Sequence, residues 1–274
     1  MRIICFLTFF TICLNAAFPL EEAKELLDAG RYKEAYEPLK QAIAMTENPP
    51  IGWKRILASL CLELNNTKEA IEVYRGVVID KEANEGDFLG LFYAYSLSGD
   101  DKKALAVLVA AQEAGKLHKE SSLTLFSGVL AQRGGAMRAA KIMRRAIERD
   151  RIAKTAQNYE RLFYFYRQAR EYKEALRAID LAVGGEPNER LYARYAYTAF
   201  EAGEFEKAIE AANKAIELNA QNAYGLRIII GASAIEIKDY KMARSAFAEV
   251  LKSPKHAKQA RNWLNYLDEL TKTF

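Results

Sequence analysis

One alanine recurs along the chain at almost constant distance. It stands at Ala35 in YKEAYEPLKQAI, Ala70 in TKEAIEVYRGVV, Ala104 in DKKALAVLVAA, Ala139 in MRAAKIMRRAI, Ala175 in YKEALRAIDLA, Ala208 in GEFEKAIEAANKAIELN and Ala243 in YKMARSAFAEV. Successive spacings are 35, 34, 35, 36, 33 and 35 residues. A period of this size turns the chain into an array of one supersecondary unit, and it changes the reading of every other residue.

The flanks keep the register. Five residues before the anchor stand Gly30, Gly99, Gly134 and Gly203, with Asn65, Arg170 and Lys238 in the remaining copies. Gly or Asn there can end a helix in a left-handed conformation, so the spacing predicts a turn. An aromatic residue three before the anchor (Tyr32, Tyr172, Phe205, Tyr240) and apolar residues four and seven after it, such as Leu39 with Ala42 or Ile179 with Ala182, share one helical face. Ala, Glu, Lys and Leu are abundant, prolines number only 6, and no run alternates as a strand would. Each unit is predicted to be a helix, a tight turn and a second helix. The small anchor lets the pair approach, and the pair needs stacking neighbours to bury its apolar face.

On these residues the stretch from about Pro19 to Ser253 resembles the tetratricopeptide repeat family. The resemblance implies an all-α, right-handed α-solenoid of about seven helical hairpins over residues 18–254. The family's small residue in the first helix is matched by Ala23, Ala58, Ser127, Ala196 and Gly231, whereas Phe92 and Phe163 replace it in the third and fifth copies and predict looser or shifted packing there. Residues 255–274, with apolar Ala257, Ala260, Trp263, Leu264, Leu267 and Leu270 after Ser253 and Pro254, predict a capping helix.

The N-terminal MRIICFLTFFTICLNAA has one Arg, an apolar run from Ile3 to Leu14 and small residues at Ala16 and Ala17, the layout of a secretory signal peptide over residues 1–17. The run is too short to span a bilayer comfortably, so the expectation is export to the periplasm or medium, with no membrane insertion after cleavage. Cys5 and Cys13 leave with the signal, and Cys61, in the apolar run ILASLCLEL, reads as a small buried hydrophobe.

Reactive chemistry is missing from the pattern. There is no phosphate-cradling Gly-rich loop, no zinc-binding cysteine set, no HExxH and no GxSxG, and the histidines are only His118 and His256. The expectation is a non-enzyme without cofactor or metal, its carboxylates mostly on outer helix positions. A net charge of +4 from 40 basic and 36 acidic residues is not the footprint of a nucleic-acid binder. Arg138, Lys141, Arg145 and Arg149 form a basic stripe on one helix, opposite the inner residues Ala139, Met143 and Ala146, and read as a solvated face.

The resemblance also implies that first helices line a groove that receives a peptide. The family's groove position falls on Lys24, Ser59, Tyr93, Gly128, Tyr164, Tyr197 and Ala232. Arg167 and Phe200 lie one turn further on, and Arg190 lies near the start of the sixth unit. Tyr93, Tyr164, Arg167, Arg190, Tyr197 and Phe200 are therefore the candidate partner-binding residues, since Tyr and Arg anchor interfaces with rigid area and a polar handle. Tyr159, Tyr166, Tyr192 and Tyr195 are expected to pack between helices. The set that clamps chaperone C-terminal carboxylates in some family members is missing. The expected role is a protein–protein interaction scaffold of the cell envelope holding a peptide or protein partner. The C-terminal AKQARNWLNYL is similar to the ends of periplasmic repeat proteins that accompany TonB-type complexes. The alternative is a peptidoglycan or polysaccharide binding module, since aromatic stripes also stack on sugars. The pattern names no oligomeric state.

Overall fold

The computed structural model describes residues 18–272. The signal peptide expected over residues 1–17 lies outside them. Every regular element among the described residues is an α-helix. Packing divides the chain into two compact units between Ser122 and Leu123.

The first unit holds three hairpins: α1 (18–28) with α2 (Tyr32–Met45), α3 (Ile51–Glu63) with α4 (Thr67–Val78), and α5 (Glu85–Leu97) with α6 (Asp101–Glu113). The second holds α7 (Glu120–Gln132), all but its first three residues, with α8 (Ala136–Glu148), then α9 (Ala156–Gln168) with α10 (Tyr172–Gly185), α11 (Glu189–Glu201) with α12 (Phe205–Glu217), and α13 (Ala223–Glu236) with α14 (Tyr240–Val250), followed by α15 (Ala257–Lys272). The hairpins are those of a tetratricopeptide-like solenoid.

All seven turns inside hairpins are built the same way. Gly30, Asn65, Gly99, Gly134, Arg170, Gly203 and Lys238 have φ between 58° and 83°. The next residue donates its N–H to the carbonyl five positions back: Arg31 to Leu26 (2.8 Å), Asn66 to Cys61 (2.8 Å), Asp100 to Tyr95 (3.0 Å), Gly135 to Leu130 (2.8 Å), Glu171 to Tyr166 (2.9 Å), Glu204 to Ala199 (2.9 Å) and Asp239 to Ala234 (2.8 Å). This Schellman closure satisfies carbonyls that the first helix leaves open. Where the following residue is Asn66, Asp100 or Asp239, its side chain also accepts the N–H three positions on and caps the second helix.

The anchor alanines are all buried, as are Ala23, Ala58, Ser127, Ala196 and Gly231 opposite them. Gly231 is required by size: a Cβ there would stand 2.6 Å from the Phe247 ring. Gly90 makes similar room for Tyr74, whose ring carbon would lie 2.2 Å from an added Cβ. Of the looser or shifted packing expected at Phe92 and Phe163, looseness is not found. Phe163 is fully buried and Phe92 nearly so. Each ring meets its neighbour in sequence, Phe92 with Tyr93 at 5.1 Å and Phe163 with Tyr164 at 5.2 Å between centroids. The bulk is absorbed inside the hairpins and leaves the next residue nearer the surface.

Two carboxylates depart from the outer positions expected of them. Asp87 accepts both arms of Arg55 (Nε 2.8 Å, Nη2 2.9 Å) and the N–H of Asn84 at 2.8 Å, so it ties α3 to the start of α5. Glu85 accepts the backbone N–H groups of His118 (3.0 Å) and Lys119 (3.1 Å). Both are buried and both are paired, which is the condition for burying a charge. Cys61 is buried with a free thiol whose pKa burial pushes up to about 11, so it is an inert hydrophobe.

At the C-terminal end α15 packs on α14. Trp263 stacks face to face on Phe247 (5.4 Å, 4° between planes), and Ala260 and Leu267 are fully buried. This apolar face covers what would otherwise be the exposed side of the last hairpin.

Candidate partner-binding face

In the second unit, first helices α9 and α11 bring their charged residues to one carboxylate. Glu160, on α9, accepts Arg190 Nη2 at 3.0 Å and Arg194 Nη1 at 2.6 Å, both from α11. The hydroxyl of Tyr164, one turn along α9, donates to the same carboxylate at 3.2 Å. The guanidinium of Arg194 lies over the Tyr164 ring, 4.8 Å from its centroid. Glu160's side chain is only 16% exposed, against 32% for Arg194 and 54% for Arg190. The negative charge is thus sunk beneath its cationic partners. Beside it Arg161 donates to the neutral Oδ1 of Asn158 at 2.9 Å.

Further along the same two helices Arg167 pairs loosely with Glu201, at 3.5 Å and with both side chains well exposed. Tyr197 is half-buried, and its hydroxyl accepts from Asn222 Nδ2 at 2.9 Å. Burial pushes its phenol pKa up, against the opposing effect of that hydrogen bond. Phe200 meets Phe205 edge-on at 5.9 Å and lines a cleft of about 500 Å³. Ala232, Ile235 and Glu236 from α13 and Gln259, Asn262, Trp263 and Tyr266 from α15 complete its walls.

Of the six residues predicted for partner binding, Tyr164 and Arg190 share Glu160, while Arg167, Tyr197 and Phe200 continue along α9 and α11. Tyr93 belongs to the first unit, where it stands 48% exposed. The residues missed are Glu160, Arg194 and the wall of α15. Arg194 and Glu160 do occupy neighbouring turns of first helices, but the 30- and 34-residue separations of their contacts leave no mark in a local pattern. Tyr166 is buried, and Tyr159, Tyr192 and Tyr195 are half-buried, so these four pack inward. Burial and the nearby Asp180 carboxylate push the Tyr195 phenol up to about 12. The basic stripe of Arg138, Lys141, Arg145 and Arg149 is solvent-exposed. Among the described residues, no cluster of three His, Cys, Asp or Glu side chains is arranged to hold a metal ion, and no helix is long and apolar enough to cross a membrane.

Comparisons with known proteins fall on the same repeats. The family model described as tetratricopeptide repeat matches residues 20–87, and that described as anaphase-promoting complex, cyclosome, subunit 3 matches residues 168–250. No curated protein matches the chain. The C-terminal part of a TPR repeat-containing protein from Cytophaga hutchinsonii is similar in structure, with a TM-score of 0.55 at 19% identity, over 89% of this chain and 98% of that one. A tetratricopeptide repeat protein from Parabacteroides merdae gives 0.51 at 16% identity, over 93% and 99%. YrrB, described as a TPR protein with an unusual peptide-binding site, gives 0.52 at 18% identity, over 69% and 94%. Identities this low speak for fold. With seven left-handed turns, seven buried anchor alanines and the repeat model matched over residues 20–87, this chain is built of tetratricopeptide-type repeats.

Proposed function

We propose that this chain is a non-catalytic scaffold that holds a peptide or a protein partner on its first helices, chiefly on α9 and α11. The observation that carries the reading is the row of Arg190, Arg194, Tyr197 and Phe200 on α11, exposed at Arg190 and half-buried at the other three, which ends at the cleft before Trp263. Arginine and large aromatics side by side, with a concavity at one end, are the composition of an interface core. YrrB, which shares the fold, is described as binding a peptide, and that supports the same use here.

The site of action in this reading is the cell envelope, periplasmic or secreted, after removal of residues 1–17. The similarity of AKQARNWLNYL to repeat proteins that accompany TonB-type complexes makes such a complex the first partner to test. The second reading, a peptidoglycan or polysaccharide module, draws on Trp263 and Tyr266 beside Asn262 and Gln259 in the cleft, a mixture of rings and amides that suits sugars. Affinity purification from envelope fractions, run in parallel with the Tyr197→Ala, Phe200→Ala double variant, separates the two. The expected result is one reproducible protein partner that the variant loses. Retention on cell-wall material with no protein partner overturns the scaffold reading.

A further inference from the structure

We infer that the α9–α11 face takes an acidic peptide segment, one whose carboxylate lies about four residues from a large apolar side chain. The inference rests on the reading of that face as the partner-binding surface and adds the chemistry of the partner. Two guanidiniums, Arg190 and Arg194, stand against one carboxylate, Glu160. Arg190 and Arg194 each spend one N–H on Glu160, and a guanidinium carries several more in a fixed fork. The face therefore has unspent donors and excess positive charge at a place where the Arg194 guanidinium lies over the Tyr164 ring. A second carboxylate is the group that completes it, through charge-assisted bonds of the kind Glu160 already makes.

The spacing follows from the helix. Arg194 and Phe200 lie on α11 about 9 Å apart along its axis, at 1.5 Å per residue. An extended peptide covers that rise in about three residues, and the offset of about 120° around the helix between the two positions adds about one residue more. A chain whose Asp or Glu meets Arg190 and Arg194 can thus seat an aliphatic or aromatic side chain in the cleft at Phe200, Trp263 and Tyr266. The cleft is walled mainly by apolar groups and holds about 500 Å³, ample for one such side chain. Glu160 is then an internal competitor: it keeps the two arginines oriented while the face is empty and opposes an incoming carboxylate by its own charge.

A random dodecapeptide display library panned against the purified protein tests this without assuming a partner. Recovered sequences enriched in Asp or Glu about four positions from Phe, Leu, Tyr or Trp are the expected result. Recovered sequences without that acidic enrichment overturn the inference and leave the peptide-binding reading standing; recovery of none from the folded protein removes both. A synthetic peptide of the recovered consensus is then titrated by fluorescence polarisation. Arg190→Ala with Arg194→Ala should weaken it at least tenfold, and Glu160→Gln should tighten it severalfold, with melting temperature followed for each variant. Unchanged or weaker binding by a Glu160→Gln protein of unaltered melting temperature overturns the inference. So does displacement of the peptide by heparin at equal charge, which marks a general polyanion surface.

Discussion

Gly231 shows what one absent side chain does for this fold. Its missing Cβ is the space that the Phe247 ring occupies. Gly231→Ala forces an overpacked contact and should lower stability by about 1–3 kcal/mol in urea unfolding. The opposite change is available at Lys238, which adopts φ 62° against its preference. A left-handed residue costs about 1–2 kcal/mol for any side chain with a Cβ, so Lys238→Gly should raise stability by roughly 1 kcal/mol in the same measurement. At this scale the sequence was legible in part. Four of the seven turn positions are Gly and one is Asn, and they announce the conformation. Arg170 and Lys238 do not, because there the geometry of the repeat overrides residue preference. The burial of Glu85 and Asp87 was not legible at all. Each depends on donors about thirty residues away, Arg55 on one side and the His118 and Lys119 amides on the other.

Elements in this molecule are joined by such long-range polar ties in addition to the apolar contact of the core. Glu85, at the start of α5, holds the segment that leads into α7. Burial pushes its carboxyl upward, but the hydrogen bonds it accepts outweigh this and hold it below the ordinary range. A carboxylate with a depressed folded pKa contributes stability that is present above its unfolded pKa, about 4.3, and is lost as pH falls through the folded value. Melting temperature should therefore fall on acidification below about pH 4.3, and Glu85→Gln should flatten that limb while costing about 1–2 kcal/mol at neutral pH. The helices themselves were readable from period alone. Their partner-binding residues were readable only to the level of a face, since the register that selects Tyr164 and Tyr197 says nothing of the carboxylate lying under Arg190 and Arg194.

As a whole the chain is a set of repeated hairpins, and its surface chemistry is distributed unevenly among them. Tyr93 in the first unit is half exposed, with its ring free of the polar ties that hold Tyr164 and Tyr197. Tyr93→Ala should leave urea-unfolding stability within about 0.5 kcal/mol of the parent, as surface changes do, whereas Tyr197→Ala should cost more. The same unevenness extends to the two tryptophans, Trp53 in the first unit and Trp263 in the second. Trp263 is stacked on Phe247 and forms one wall of the cleft. With Trp53→Phe, all remaining indole emission comes from beside the cleft. The protein so altered carries its own optical gauge: occupancy of the cleft and undocking of α15 each become a change in colour or intensity, read without any added label.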